Sequence, residues 1–188
     1  FSSYQQQMGN WGKKINSLQQ QLKAPASKAD STRIIAELKK TDKEVKDYRE
    51  DFIKKNPHSL LAALLITMRE PELTGPLADP KTKDDSVAAY TSYKKQYWEG
   101  VNFWDGRLAY TTFFEEKLDK YFNQLVQPHP DSVIKEIDYM LGFASVNEEM
   151  TRFLLIKFVN RYLNQKYMWE DAVFVHLFEK YFASKTYA

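Results

Sequence analysis

The sequence predicts an all-α protein with about seven to eight helices, arranged as an antiparallel helix-hairpin bundle that begins with a long αα-hairpin. Three observations support this prediction. Glycine is scarce, with 6 residues among 188, whereas an all-β domain needs many tight turns. Long stretches free of glycine and proline alternate with short proline-containing breaks. Within these stretches, apolar residues recur three and four positions apart, which is the spacing of one helix face.

The first two predicted helices share a heptad pattern. Helix 1 carries it at Tyr4, Met8, Trp11, Ile15, Leu18 and Leu22. Helix 2 carries it at Ile34, Leu38, Thr41, Val45, Tyr48 and Phe52. Two matching stripes joined by a short break at residues 24–27 predict an antiparallel αα-hairpin within one molecule. The alternative is a coiled coil between two molecules, in which helix 1 would form a weak homodimer.

The remaining helices are predicted from apolar spacing between proline and glycine breaks. Asn56 is the predicted N-cap of helix 3, with Pro57 at its first position. Helix 3 itself, residues 60–68, is apolar on nearly all sides, which is typical of a central buried helix. Residues 71–85 form the longest predicted loop. Five further helices are predicted at about residues 86–99, 114–125, 131–144, 147–164 and 169–183.

Length and charge favour one helical domain over residues 1–188, with the long hairpin in residues 1–55 and a compact bundle in residues 56–188. The chain begins at Phe1 and carries no terminal signal, so we expect a fragment of a longer protein. Opposite charges four residues apart on helix 2, such as Asp42 and Lys46, predict a solvated face, and we expect no nucleic-acid binding. No apolar run reaches the ~20 residues that a membrane span requires.

The sequence contains no local motif for catalysis or metal binding. It has no cysteine, which removes thiol chemistry from this chain. No glutamate lies three residues before His58, His129 or His176, so the Glu-x-x-His pattern of metal-binding helix bundles is missing. Phosphate-binding glycine loops and a GxSxG nucleophile elbow are also missing. We therefore predict no catalytic residue, no cofactor and no metal site, and we expect that this chain is not an enzyme.

Aromatic and charged residues are densest between residues 102 and 126. Trp98, Phe103 and Trp104 could form a groove for a sugar ring or a peptide together with Tyr110 and Phe113. The competing interpretation is that these rings pack the loop onto the core of the bundle. Both interpretations stay open at the level of sequence.

Three polar residues are further candidates for ligand binding. Asp105 and Arg107 could bind a ligand carboxylate, or they could pin the loop through a charge-assisted hydrogen bond. The dipeptide Asp105-Gly106 predicts a turn with a positive φ. His176 is flanked by apolar residues, which is typical of a core histidine, although a proton relay or ligand role is chemically open to it.

Several short stretches occur in a characteristic order: Asn56-Pro57-His58-Ser59-Leu60-Leu61-Ala62, Tyr93-Lys94-x-x-Tyr97-Trp98, Phe103-x-Asp105-x-Arg107-Leu108, Lys117-Leu118-Asp119-x-Tyr121, Pro130-Asp131-Ser132, Asn147-x-Glu149-Met150 and Asp171-Ala172-Val173-Phe174-Val175-His176-Leu177-x-Glu179-Lys180-Tyr181. Together they resemble an uncharacterised helical domain found upstream of the thioredoxin-like domain in TlpA-type bacterial envelope proteins. The resemblance covers most of residues 51–188.

The resemblance implies a location in the periplasm or cell envelope, with a lipid anchor on the parent chain. It also implies that the parent is a thiol-disulfide oxidoreductase, and that this chain is its non-catalytic accessory or interaction domain. The expected partner is the thioredoxin-like domain of the same parent chain. The alternative function is a glycan- or peptide-binding helical module that uses the aromatic region near Trp98–Phe113.

Overall fold

The computed structural model describes residues 2–24 and 27–183, and this part of the chain is all-α, without strands. Its eight α-helices are α1 Ser2–Lys23, α2 Lys28–Lys55, α3 Leu60–Thr67, α4 Lys83–Gln96, α5 Thr112–Lys120, α6 Pro130–Ala144, α7 Glu148–Leu163 and α8 Glu170–Leu177. Two 3-10 helices, Gly75–Ala78 and Gly106–Tyr110, and two π-helical turns, Tyr121–Leu125 and Phe178–Ala183, complete the regular structure. The predicted fold class is confirmed.

Two compact units make up the chain, Phe1–Pro57 and His58–Ala188. In the first unit, Tyr4 near the start of α1 lies against Phe52 near the end of α2, with ring centroids 5.0 Å apart. The two helices are therefore antiparallel, and the predicted αα-hairpin is confirmed. Pro25 and Ala26, in the predicted connection, lie outside the described residues. The homodimer through helix 1 stays a prediction.

The boundary between α2 and α3 differs from the prediction. Asn56 is the C-cap of α2, where its backbone N–H donates to Phe52 O at 2.9 Å and its side-chain Nδ2 donates to the same oxygen at 3.0 Å. Ser59 is the N-cap of α3, with Oγ accepting from Ala62 N at 3.1 Å. The prediction that Asn56 caps α3, with Pro57 at its first position, is therefore wrong. An asparagine can satisfy the free carbonyls at a helix end as well as the free N–H groups at a helix start.

The predicted loop 71–85 is shorter than expected. It contains the 3-10 helix Gly75–Ala78, and α4 starts at Lys83. A capping box fixes this start, because Thr82 Oγ1 accepts from Asp85 N while the Asp85 carboxylate accepts from Thr82 N. The first turn of α4 is polar, so the spacing of apolar residues does not predict where this helix starts.

The second unit has one apolar core, formed mainly by residues of α5, α6, α7 and α8. Its largest fully buried side chains are Tyr97, Leu108, Phe114, Ile137, Met140, Leu141, Met150, Leu154, Phe158, Val173 and Leu177. Phe178 and Phe182 are exposed, whereas Tyr181, four residues after the buried Leu177, continues the buried side of α8 into the π-helical turn. Among the described residues, no helix combines the length and apolar character needed to cross a membrane.

Leu118 can be used to test which face of α5 lies in the core, because its side chain is only 2% exposed. We expect Leu118→Ala to lower the free energy of unfolding by about 2–5 kcal/mol, because the shortened side chain leaves a cavity in a close-packed region. Urea unfolding followed by circular dichroism measures this change. Leu163→Ala is the matched control at an exposed position of α7 and should change stability by less than about 0.5 kcal/mol. Equal effects of the two substitutions would contradict the assignment.

Candidate functional site

The 3-10 helix Gly106–Tyr110 is the framework of the candidate site. Asp105 caps its start, because Oδ1 accepts from Arg107 N at 3.2 Å. Among the described residues, the glycines with positive φ are Gly75 and Gly100, so the prediction of a positive-φ turn at Asp105-Gly106 is wrong. Gly106 instead leaves room for the Asn147 side chain, since a Cβ atom at position 106 would lie 2.8 Å from Asn147 Oδ1.

The two sides of this 3-10 helix differ sharply in burial. Leu108 and Ala109 are buried against the core. Residues three apart eclipse each other in a 3-10 helix, so Arg107 and Tyr110 share the outer side. Trp104, in the turn before this helix, and Phe113, in the first turn of α5, are also exposed. We call the set of Trp104, Arg107, Tyr110 and Phe113 the 104–113 ridge.

The three aromatic residues of the 104–113 ridge present free ring surfaces to solvent. Trp104 is 58% exposed, Tyr110 78% and Phe113 41%. Within the described part of the chain, none of these rings stacks on another ring or lies under a cation. Part of each ring is therefore open to solvent, most of all that of Tyr110.

Asp105 forms a bidentate ion pair with Arg107 of the 104–113 ridge. Arg107 Nε donates to Asp105 Oδ1 at 2.7 Å, and Arg107 Nη2 donates to Oδ2 at 2.6 Å. The hydrogen bonds from Arg107 hold the pKa of the Asp105 carboxyl below its ordinary value, and Asp105 raises the pKa of Arg107. Both terminal guanidinium nitrogens also lie 3.4 Å from the His58 carbonyl oxygen. The pair thus ties the 3-10 helix to the segment that precedes α3.

Trp98 and Phe103 pack against the core instead of joining the ridge. Their rings make an edge contact with centroids 5.3 Å apart, and both rings contact Phe114. Trp98 Nε1 is buried and has no hydrogen-bond partner, which costs roughly 1–3 kcal/mol. The six sequence-predicted site residues are therefore not one constellation: Trp104, Asp105 and Arg107 lie at the ridge, Trp98 and Phe103 lie inward, and His176 belongs to α8.

Lys117 is a buried, charged residue of the kind often found in functional sites, and it was not among the site residues predicted from the sequence. It is 7% exposed, and its Nζ donates to Arg69 O at 2.7 Å. The same nitrogen lies 4.2 Å from the centroid of the Tyr97 ring and 5.8 Å from that of Trp98. Burial lowers the pKa of Lys117 to about 8, against the opposing effect of Glu70. A signal was present in the sequence, since Lys117 lies three residues after Phe114 and four before Tyr121, on the apolar stripe of this segment.

Glu70 joins the same region through two hydrogen bonds. Lys120 Nζ donates to Glu70 Oε1 at 2.7 Å, and the Tyr93 hydroxyl donates to Oε2. Burial acts to raise the pKa of Glu70, but the hydrogen bonds from Lys120 and Tyr93 outweigh it and hold the pKa below its ordinary value. The hydroxyl of Tyr97 is occupied as well, because it donates to the carbonyl oxygen of Lys117 at 3.1 Å.

His176 interacts with a carboxylate that lies far away in the sequence. Its Nε2 lies 3.0 Å from Asp138 Oδ1, and Asp138 also accepts from Lys180 Nζ at 2.8 Å and from the Tyr181 hydroxyl at 2.6 Å. Burial acts to raise the pKa of Asp138, but these hydrogen bonds outweigh it and lower the pKa. The cluster fastens the end of α8 to α6. Within the described residues, no group of three His, Asp or Glu side chains is placed to hold a metal ion.

The short distance between Gly106 and Asn147 predicts that any side chain added at position 106 lowers the stability of the fold. We expect Gly106→Ala to lower the free energy of unfolding by about 1–3 kcal/mol, because either the 3-10 helix or the Asn147 cap of α7 must shift. Thermal and urea unfolding measure the change.

Gly142→Ala is the matched control, because an added Cβ meets no atom within 4 Å at this position of α6. Alanine in a helix interior should stabilise the protein by about 0.5–1 kcal/mol. A neutral or stabilising Gly106→Ala would contradict the close contact.

Lys117 predicts an unusual pH dependence of stability. Its pKa is about 8 in the folded protein against the ordinary 10.5, so between these values the unfolded chain binds more protons than the folded one. The free energy of unfolding should therefore rise by about 1–2 kcal/mol from pH 8 to about pH 9.5. The raised pKa values of Tyr93, Tyr97, Tyr121 and Tyr162 act in the opposite direction, mainly from about pH 10 upward. Lys117→Met should remove the rise, and equal pH slopes in both proteins would contradict the prediction.

Comparison with known proteins identifies a family but no activity. A family model described as a domain of unknown function, DUF5106, matches residues 76–187. No match was found among curated proteins or among solved structures. Nothing in the family match connects it to TlpA-type proteins or to a thioredoxin-like neighbour. Since the matched segment is more than half of the chain and spans α4 to α8, the chain belongs to the DUF5106 family, a domain of unknown function.

Proposed function

We propose that this chain is a non-catalytic helical accessory domain that mediates the interactions of a larger thioredoxin-like protein. One observation carries the proposal: the polar groups with perturbed pKa values are joined to other parts of the same fold. Lys117 bonds to the Arg69 carbonyl, Glu70 to Lys120 and Tyr93, and Asp138 to residues of α8 and the following turn. Ion pairs that connect structural elements perturb pKa values without any catalytic role.

The resemblance to the helical domain of TlpA-type envelope proteins supports the finer part of the proposal. Redox chemistry would then belong to a Cys-x-x-Cys motif in the parent chain, and this domain would position the thioredoxin-like domain or its substrate. The parent would function in the periplasm or cell envelope, held there by a lipid anchor. Family membership is compatible with this assignment, because the DUF5106 description specifies no activity.

The proposal is tested first by sequencing the coding region downstream of this segment. We expect a thioredoxin-like domain with Cys-x-x-Cys within about 100 residues, near a βαβ pattern. That domain, expressed alone, should bind this chain in calorimetric titration and should reduce insulin.

This chain alone should show no insulin reduction, and an unrelated thioredoxin should not bind it. Turnover by the isolated chain would refute the non-catalytic assignment. A downstream region without a thioredoxin-like domain would refute the parent class.

A second candidate function is a glycan- or peptide-binding module, and the 104–113 ridge is the observation that favours it. Three large exposed aromatic residues occur within ten residues of the sequence, with the exposed Arg107 between the first two. Large exposed aromatic surfaces of this kind commonly mark interaction sites. Trp98 and Phe103 are no longer part of this candidate surface, because their rings pack against the core.

A further inference from the structure

We infer that the exposed apolar side of α8 and the turn after it is the docking surface for the domain that follows this chain in the parent protein. The inference rests on the proposed function, which places a thioredoxin-like domain downstream, and it names the residues that contact that domain. The surface is formed by Phe178 and Phe182, with Val175 three residues before them on the same helix. We call these three residues the α8 outer stripe.

The composition of α8 is the first step, because this helix is apolar on two sides. Five of its eight residues are apolar, and Val173 and Leu177 are buried in the core. The α8 outer stripe is open to solvent, with Val175 43% exposed, Phe178 56% and Phe182 42%. A surface helix ordinarily carries polar residues on its outer side, whereas a helix that is apolar on both sides is ordinarily buried. The sequence of α8 is therefore that of a helix with a packing partner on each side, and the described residues supply one of them.

The arrangement of the two rings is the second step. Phe178 and Phe182 lie together, with ring centroids 6.4 Å apart and ring planes only 14° from parallel. The turn that carries them is fixed from the other side, because the Tyr181 hydroxyl donates to Asp138 Oδ1 at 2.6 Å and Lys180 Nζ donates to Asp138 Oδ2 at 2.8 Å. The pair of rings is therefore held in place before a partner binds, which lowers the entropic cost of docking.

The size of the surface is the third step, and it favours a linked domain over a free partner. A phenylalanine side chain can bury roughly 150–250 Å², and the exposed fractions of Phe178 and Phe182 together amount to about one such side chain. A stable interface between separate molecules needs about 800 Å² from each partner, so this surface alone is too small to hold a second copy of the chain. A linked domain needs less area, because a short linker raises its effective concentration to the order of millimolar.

The position of the α8 outer stripe along the chain is the fourth step. Phe182 lies five residues before residue 187, where the family match ends. Five residues span at most about 18 Å. A domain that starts where the family domain ends therefore begins close to Phe182, and the linker brings it to this surface.

The inference is tested by titrating the chain with the downstream domain and by NMR relaxation of the linked two-domain protein. We expect the double variant Phe178→Ser/Phe182→Ser to weaken binding in the titration about tenfold or more. In the linked protein, the two domains should tumble as one body in the wild type and separately in the double variant.

The matched control is the double variant Tyr139→Ser/Phe143→Ser. These two rings of α6 also contact each other, with centroids 4.7 Å apart, and they are similarly exposed. The control should change neither the binding nor the tumbling. Thermal unfolding of both double variants establishes that they are folded.

Each adverse outcome has a separate meaning. Binding of the downstream domain that is unaffected by Phe178→Ser/Phe182→Ser, or that is weakened equally by the control, would overturn this inference and leave the proposed function in place. Light scattering that shows a dimer of this chain, lost in Phe178→Ser/Phe182→Ser, would also overturn it, because a second copy would then occupy the surface. A thioredoxin-like domain that does not bind at all, or a downstream region without one, would overturn both this inference and the proposed function.

Discussion

The close approach of the 3-10 helix Gly106–Tyr110 to the start of α7 is the constraint on which the candidate surface depends. Asn147 Oδ1 accepts from Met150 N at 2.9 Å and so caps α7. A Cβ atom at position 106 would lie 2.8 Å from the same oxygen, so a larger residue there would displace the cap or the 3-10 helix. The 3-10 helix that is held this close to α7 directs Leu108 to the core and Tyr110 to solvent. One side chain therefore stabilises a helix end and limits which residue can occupy position 106.

The buried polar groups have a common structural purpose, which is to connect segments distant in the sequence. Lys117 bonds to a carbonyl 48 residues away, and Lys120 to a carboxylate 50 residues away. Desolvating a charge is costly, so an amine that is 7% exposed is tolerated only because a carbonyl and an aromatic face replace its water. A depressed lysine pKa is here a result of packing. It does not by itself indicate a nucleophile.

Helix positions were predictable from the sequence because apolar spacing records which face each helix buries. The αα-hairpin follows from heptads alone. The assignment of individual aromatic rings was not predictable in this way, since Trp98 and Trp104 are chemically identical. Trp98 lies in the turn after α4 and Trp104 in the turn before the 3-10 helix, so neither belongs to an α-helix whose apolar spacing could separate them. Phe113 and Phe114 show the contrast, because they belong to α5, where helical spacing correctly predicts that Phe114 is the buried residue of the two.

Polar partners were equally hidden from the sequence. His176 has Asp171 close by along the chain, yet Asp171 accepts from Gln165 Nε2, and the partner of His176 is Asp138, 38 residues away. Local spacing identifies neighbours on one helix, but pairing between helices depends on how the helices pack. The same limit explains why Lys117 was missed, because a lysine on an apolar stripe is ordinarily expected to reach solvent with its amine.

The internal polar network and the exposed aromatic residues of the 104–113 ridge belong to different parts of the second unit. The internal polar network fixes the relative positions of α3, α4 and α5, and of α6 and α8, without contributing to the outer surface of the 3-10 helix. The formal net charge of the chain is only +2, so it has no strong field with which to attract a charged partner. Exposed apolar area is the other feature that can support recognition, and Trp104, Tyr110 and Phe113 supply it within ten residues of the sequence.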